Sequence, residues 1–327
     1  MTRYGLAFLG APRVPEMVEL AILAEAAGCE SVWIAETRIM RDGFVPAGAI
    51  AARTSRIGIG TGIVNVFTRG PVLSAISFAT LDEASAGRAI VGLGTGSPLV
   101  LAAQGHGFER PLGRLRDFVA VQRQLLTGEP VHYQGATLQV AGAQLEFEPW
   151  RRAIPIHLGV TGPKALELAG ELADGAMLNG FLPPDYVVRA RQRIAGGAAR
   201  AGRTLAAIDV SMALIFSTDA DSHAACDAAR PLVATYMTRM PNIAAEMGFD
   251  DDLLERVRRA VADGGIPAGL PFIDDAMVQR VTIAGTPDEC LARIDDYRAA
   301  GVDLPILFPV GDLRRAIDVI AQGVGPR

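Results

Sequence analysis

Only three cysteines occur in the chain, Cys29, Cys226 and Cys290, and no two stand in a C-x-x-C pair. Neither a disulfide framework nor a cysteine-ligated zinc site is suggested. Histidine is as scarce. The four, His106, His132, His157 and His223, form no H-x-H pair and no i, i+4 pair with one another, so a hydrolytic metal centre built on histidine is not expected. Lysine is nearly absent: the cations are almost all arginine, with Lys164 standing apart. The net charge of −5 does not suit a nucleic-acid surface, which needs clustered Lys and Arg. No stretch approaches the ~18 uninterrupted apolar residues of a membrane span, and Pro12 breaks the N-terminal apolar run before it reaches signal-peptide length. A cytoplasmic location is expected.

What the chain has is apolar residues, half of the total of 327, in short runs that alternate with helical patterns. Residues 4–9 lead into a helix whose Met17, Leu20, Ala21, Leu23 and Ala24 recur at three- and four-residue steps. Further strands are expected at 31–35, 56–64, 88–94, 154–160, 175–178, 207–216 and 303–308, with helices over 72–85 and 112–126 among them. Eight strands, most followed by a helix, is the count of a (β/α)8 barrel; a doubly wound sheet usually stops at five or six. The expected fold is therefore α/β, a (β/α)8 TIM barrel forming a single domain over 1–327. Alternating runs around Gly135 add a hairpin near 130–148, and a helical insertion is expected near 219–277.

Residues 91–98 read VGLGTGSP directly after an apolar run. A dinucleotide-binding loop needs G-x-G-x-x-G running into a helix. Both frames fail, the third position falling on Ser97 or on Leu99. As the end of the fourth strand, the stretch lies where barrel active sites are built. The other strand ends carry Glu36-Thr37, residues 62–65, 159–162, Asn179-Gly180, Ser217 and 309–311. Glycine and hydroxyl groups dominate and charge is scarce, which suits a flat cofactor that brings its own chemistry. Tight βα turns account for the same glycines. In GVTGPKALELAG (159–170), Thr161 is placed to cap a helix, Pro163 to open it and Lys164 to add charge where helix N–H groups already favour an anion. A phosphate suits that position, and so does an ordinary capped helix with a solvated lysine.

In these blocks the chain resembles the bacterial-luciferase-like flavin and deazaflavin oxidoreductases, closest to the coenzyme F420-dependent methylenetetrahydromethanopterin reductase branch. The resemblance covers nearly the whole chain and is most specific over residues 54–98. It implies that Gly94, Thr95, Gly96 and Ser97 contact the ring, that the Gly62–Ile63 peptide is cis and forms a bulge behind it, and that Asn65 and Thr68 follow as tail or substrate contacts. Val160, Thr161, Gly162, Pro163 and Lys164 take the phosphate. Glu36 and Thr37 stand where relatives place an acid and a histidine for proton transfer, and Ser97 stands where the glucose-6-phosphate dehydrogenases of this type place a glutamate, which argues against that sugar activity. The implied reaction is hydride transfer between coenzyme F420 and a small organic substrate above the ring. The alternatives are an FMN-dependent monooxygenase using oxygen, or a flavin-binding member without turnover. The resemblance further implies a homodimer through the helices after the second and third strands. Phe8, Trp33, Phe67, Phe181, Met212 and residues 236–249 are candidate pocket walls, though most are expected to be core, and the insertion is a candidate lid.

Overall fold

The computed structural model describes residues 2–8, 12–36 and 39–325. Thr37, expected beside Glu36, and Gly10, which follows the first expected strand at 4–9, lie outside the described residues.

Eight parallel strands close on themselves: β1 (Gly5–Phe8), β2 (Ser31–Ile34), β3 (Gly58–Thr61), β4 (Ala89–Gly94), β5 (Ile156–Val160), β6 (Gly175–Leu178), β7 (Asp209–Thr218) and β8 (Leu304–Pro309). Each pairs with the next in chain order, and β8 returns to β1 with Ile306 opposite Gly5. The expected barrel is present. Strands enclosed by a filled interior and by outer helices have no wet face, which is why they read as apolar runs rather than alternations. β1, β2, β6 and β8 are buried along their whole length.

Glycines make room for the largest interior side chain. Trp33 on β2 is fully buried. A Cβ at Gly60 on β3 would come within 2.5 Å of its ring, and one at Gly5 on β1 within 3.2 Å of its Nε1. That nitrogen donates to Ser31 Oγ at 2.9 Å. The buried imidazole of His157 on β5 stands 5.4 Å from an indole ring centroid, with its Nδ1 unbonded.

The outer helices are α1 (Val14–Ala26), α2 (Phe44–Ala51), α3 (Pro71–Ala84), α4 (Pro111–Leu126), α5 (Pro163–Leu172), α6 (Pro184–Arg200), α7 (Pro287–Ala299) and α8 (Leu313–Val324). All but α2 and α8 carry proline at one of the first two positions. There the fixed φ favours the helix and the missing N–H would be unpaired in any case, so the chain leaving a strand commits to its helix at a set residue. The hairpin pairs Val131–Gln134 with Gln139–Ala143.

The insertion runs further than expected. Its helices Ser222–Arg239, Asp251–Gly264 and Asp275–Val281 lead into a short strand, Ile283–Gly285, that pairs in parallel with the end of β7. Three residues are too few for any periodicity to announce a strand. The expected third strand, 56–64, is also divided. It stops at Thr61, passes through a cis peptide at Gly62–Ile63 and resumes as Val64–Asn65 against Leu93 and Gly94 of β4.

Candidate active site

The C-terminal ends of β3, β4 and β5 meet around one side chain. A Cβ on Gly94 would lie 2.8 Å from Cγ1 of Ile63, and one on Gly159 3.0 Å from its Cγ2. Ile63 therefore sits in a space opened by a glycine on each of the two following strands. Gly62 and Ile63 are half-buried rather than enclosed, so the bulge presents a face to the barrel mouth.

Asn65 ties this bulge to the next loop. Its Oδ1 accepts from the Phe67 N–H at 2.8 Å, its Nδ2 donates to the Thr95 carbonyl at 3.2 Å, and its own carbonyl accepts from the Thr68 hydroxyl at 3.3 Å. Gly96 has φ +65° and a Cβ there would collide with Asn65 Nδ2, so only glycine fits on both counts. Gly96 is exposed, and Thr95 and Ser97 are half-buried. Ser97 is the N-cap residue of a short helix, Pro98–Ala102. The glycine loop thus has a packing reason for each glycine and still offers open backbone at the mouth.

At the start of α5 the cap is Gly162, with no side chain bonding the first N–H groups; Thr161, expected as the cap, stands one residue too early. Pro163 opens the helix as expected. The Thr161 carbonyl accepts from the Tyr186 hydroxyl at 2.5 Å, which ties the loop to the first turn of α6. Val160 is buried, Thr161 half-buried, and Gly162, Pro163 and Lys164 are exposed. Uncapped N–H groups beside a lysine at an open helix start form an anion-favouring position.

Glu36 is not a free carboxylate. Arg69 donates to it through Nε at 2.8 Å and Nη2 at 3.0 Å, and the Gly43 N–H donates to its Oε2 at 3.0 Å. Arg69 also pairs with Asp42, and its guanidinium lies 4.7 Å above the Phe44 ring. Arg69 has no signal in the sequence, because its partner lies 33 residues away in a segment with no periodicity.

Several expected walls belong to the core. Phe8, Trp33 and Met212 are fully buried, whereas Phe67 is half-buried. Phe181 is buried but reaches the insertion, stacking on Tyr236 with centroids 3.9 Å apart.

Among the described residues, His223, Asp227 and Asp275 have ligand-type atoms within 4.8 Å of one another. Histidine pairing does not reveal this group, which joins His223 to Asp227 at a spacing of four and to Asp275 from a distant helix. Arg230 donates to Asp227 Oδ1 at 2.6 Å and Asp275 Oδ1 at 2.5 Å, so a guanidinium already partners both carboxylates.

The chain is 35% identical over 325 residues to 5,10-methylenetetrahydromethanopterin reductase of Methanolobus tindarius, an alignment covering 98% of this chain and 99% of that one. It is 29% identical to the F420-dependent glucose-6-phosphate dehydrogenase of Nocardia farcinica, over 95% of this chain and 93% of the other. Among solved structures, the coenzyme F420-dependent tetrahydromethanopterin reductase of Methanopyrus kandleri superposes with a TM-score of 0.90 at 29% identity, covering 98% of each chain. Residues 3–304 match the family model described as luciferase-like monooxygenase. With that match spanning the barrel from β1 into β8, the chain belongs to the luciferase-like monooxygenase family.

Proposed function

We propose that the protein is a coenzyme F420-dependent oxidoreductase, one barrel domain over 1–327, that passes a hydride between the deazaflavin and a small organic substrate held above it. The observation that carries this reading is the full-length likeness to methylenetetrahydromethanopterin reductases, together with a mouth that fits such a cofactor. The fit is of two kinds. Gly96 is exposed and Gly62, Ile63, Thr95, Ser97 and Gly159 are half-buried, so mostly small residues border the mouth at the Ile63 bulge, which suits a flat ring, and the uncapped start of α5 beside Lys164 suits a phosphate. When bound, the deazaflavin supplies the hydride-carrying carbon.

The residues then have separable tasks. Gly62 and Ile63 back the ring, Gly94, Thr95, Gly96 and Ser97 border it, and Asn65 holds the β3 and β4 loops together. Val160, Thr161, Gly162, Pro163 and Lys164 hold the phosphate. Glu36 is committed to Arg69 and Gly43. A hydride delivered to an iminium-type carbon yields a neutral product and needs no proton, whereas reduction of a carbonyl leaves an alkoxide that does. A mouth whose one named acid is tied into an ion pair therefore favours an iminium-type acceptor. Catalysis would rest on positioning.

The exposed apolar residues Val45 on α2 and Leu73 and Ile76 on α3 support a homodimer through those helices. The test of the central reading is a paired calorimetric titration of the apo-protein with coenzyme F420 and with FMN. Micromolar or tighter binding of F420 with much weaker FMN binding supports it. Preference for FMN moves the protein to flavin chemistry, with oxygen uptake separating a monooxygenase from a flavin-holding protein.

A further inference from the structure

We propose that Arg69 is a positioning residue that locks the loop after β2 to the loops after β3 and β4, so that the borders of the ring site move as one body.

The connections can be followed bond by bond. Arg69 lies in the turn between Asn65 and α3, its N–H donating to the Asn65 carbonyl at 3.3 Å. Its guanidinium grips both oxygens of Glu36, immediately beyond β2, and reaches Asp42 at the approach to α2. Glu36 in turn accepts from Gly43 N–H at the N-cap of α2, and Asp42 Oδ1 accepts from the N–H groups of Phe44 and Val45 at 2.9 and 2.8 Å. On the other side, Asn65 reaches the Thr95 carbonyl at 3.2 Å. One guanidinium therefore joins the start of α2 to the β3 turn, and one amide joins that turn to the glycine loop.

The chemistry requires arginine. A planar fork with several fixed N–H groups holds one carboxylate through two parallel bonds and a second carboxylate at once, while its flat face packs on Phe44. Lysine offers a single point charge that cannot reproduce the fork. The side chains of Arg69 and Glu36 are 20% and 17% exposed, so water competes less than at a surface pair. Removing Arg69 leaves the Glu36 carboxylate half-buried without its counter-ion, whereas removing Glu36 leaves Arg69 with Asp42 alone.

Because the cofactor's place rests on the reading above, the experiment has one arm that needs no cofactor. Hydrogen exchange of the full-length apo-protein is compared for wild type, Arg69→Met, Arg69→Lys and Glu36→Gln. Arg69→Met should raise exchange over residues 39–51 by at least about tenfold, with α5 unchanged, because local opening follows the loss of local bonds. Arg69→Lys should recover part of the protection. Unchanged exchange over 39–51 in both arginine variants overturns the lock, whatever the cofactor is. If Arg69→Met does not fold, the milder Arg69→Lys and Glu36→Gln variants decide by the same readout.

The second arm saturates each protein with F420 and follows bleaching of the bound ring by borohydride, a reductant that needs no substrate. Faster bleaching in Arg69→Met with F420 affinity changed only a few-fold supports a role at the ring's border. Bleaching at the wild-type rate limits Arg69 to the apo fold and overturns its placement beside the ring. If wild type binds no F420, the functional reading falls while the exchange result stands.

Discussion

Ile63 occupies the volume that a side chain on Gly94 would need, since a Cβ built there would lie 2.8 Å from Ile63 Cγ1. The backbone of Gly94 is not in the left-handed region, so alanine is excluded by this neighbour and not by φ. Gly94→Ala should push Ile63 out of its seat, destabilise the barrel by about 1–3 kcal/mol through overpacking, and weaken F420 binding about tenfold, equivalent to ~1.4 kcal/mol. Ile63→Ala in the same chain should restore room. Titration and urea unfolding of the two single variants and the double give the coupling. Strictly additive effects would mean that the two side chains do not share the space.

Such a seat was only partly legible in the sequence. The strands were, because burial on both faces leaves a local record: an apolar run ended by glycine. The glycines of residues 91–98 were also visible, but their reason was not, since it lies in Ile63 and Asn65 on another strand. The cap of α5 moved from Thr161 to Gly162 because either residue satisfies the local pattern. Pairs such as Arg69–Glu36 and His223–Asp275, the latter 52 residues apart, have no local record at all. Charge composition said only that arginine was plentiful, not which carboxylate each would find.

Lys164 is exposed and makes no ion pair among the described residues, so replacing it should leave stability within about 0.5 kcal/mol. Binding is another matter. Lys164→Ala should weaken coenzyme F420 about three- to tenfold, with the loss shrinking as salt rises because an exposed charge is screened. The deazaflavin chromophore lacking its phosphate should bind both proteins alike. An equal loss for the phosphate-free chromophore would place Lys164 at the ring instead of the phosphate.

Two histidines pull the acid stability in opposite directions. Burial holds the His157 imidazole below its ordinary 6.5, against the opposing pull of Asp209 and Asp174. The unfolded chain therefore takes up the proton first, and stability present above pH ~6.5 is lost as the pH falls. His223 is raised by its bond to Asp275 and by Asp227, so its contribution is present below 6.5 and is lost as the pH rises through its higher folded value. His223 is exposed and its attraction is screened, whereas charging His157 would place an unpaired cation beside Trp33. The buried group should win: Tm falls between pH 7 and 5, and His157→Phe flattens that slope. A slope unchanged by His157→Phe would assign the acid sensitivity to other groups.

Phe181 follows β6 in a left-handed conformation, φ +63°, that costs a bulky residue roughly 1–2 kcal/mol. What holds it there is its ring, buried and stacked on Tyr236 at an interplanar angle of 30°. Tyr236 belongs to the long helix of the insertion, and Arg189 on α6 adds a second tie by pairing with Glu246 at 2.8 Å. Phe181→Gly relaxes the backbone but deletes a buried ring, a loss of ~3–5 kcal/mol in itself. The deletion exceeds the relief, so net destabilisation of about 1–4 kcal/mol is expected. Because the stack joins the mouth to the insertion, exchange over 222–264 should rise in Tyr236→Ala even where Tm moves little. The same helices should become better protected when F420 and substrate are both bound. If saturating both leaves their exchange unchanged, the insertion is a fixed wall of the mouth and not a lid, and the Phe181–Tyr236 stack then only anchors that wall to β6.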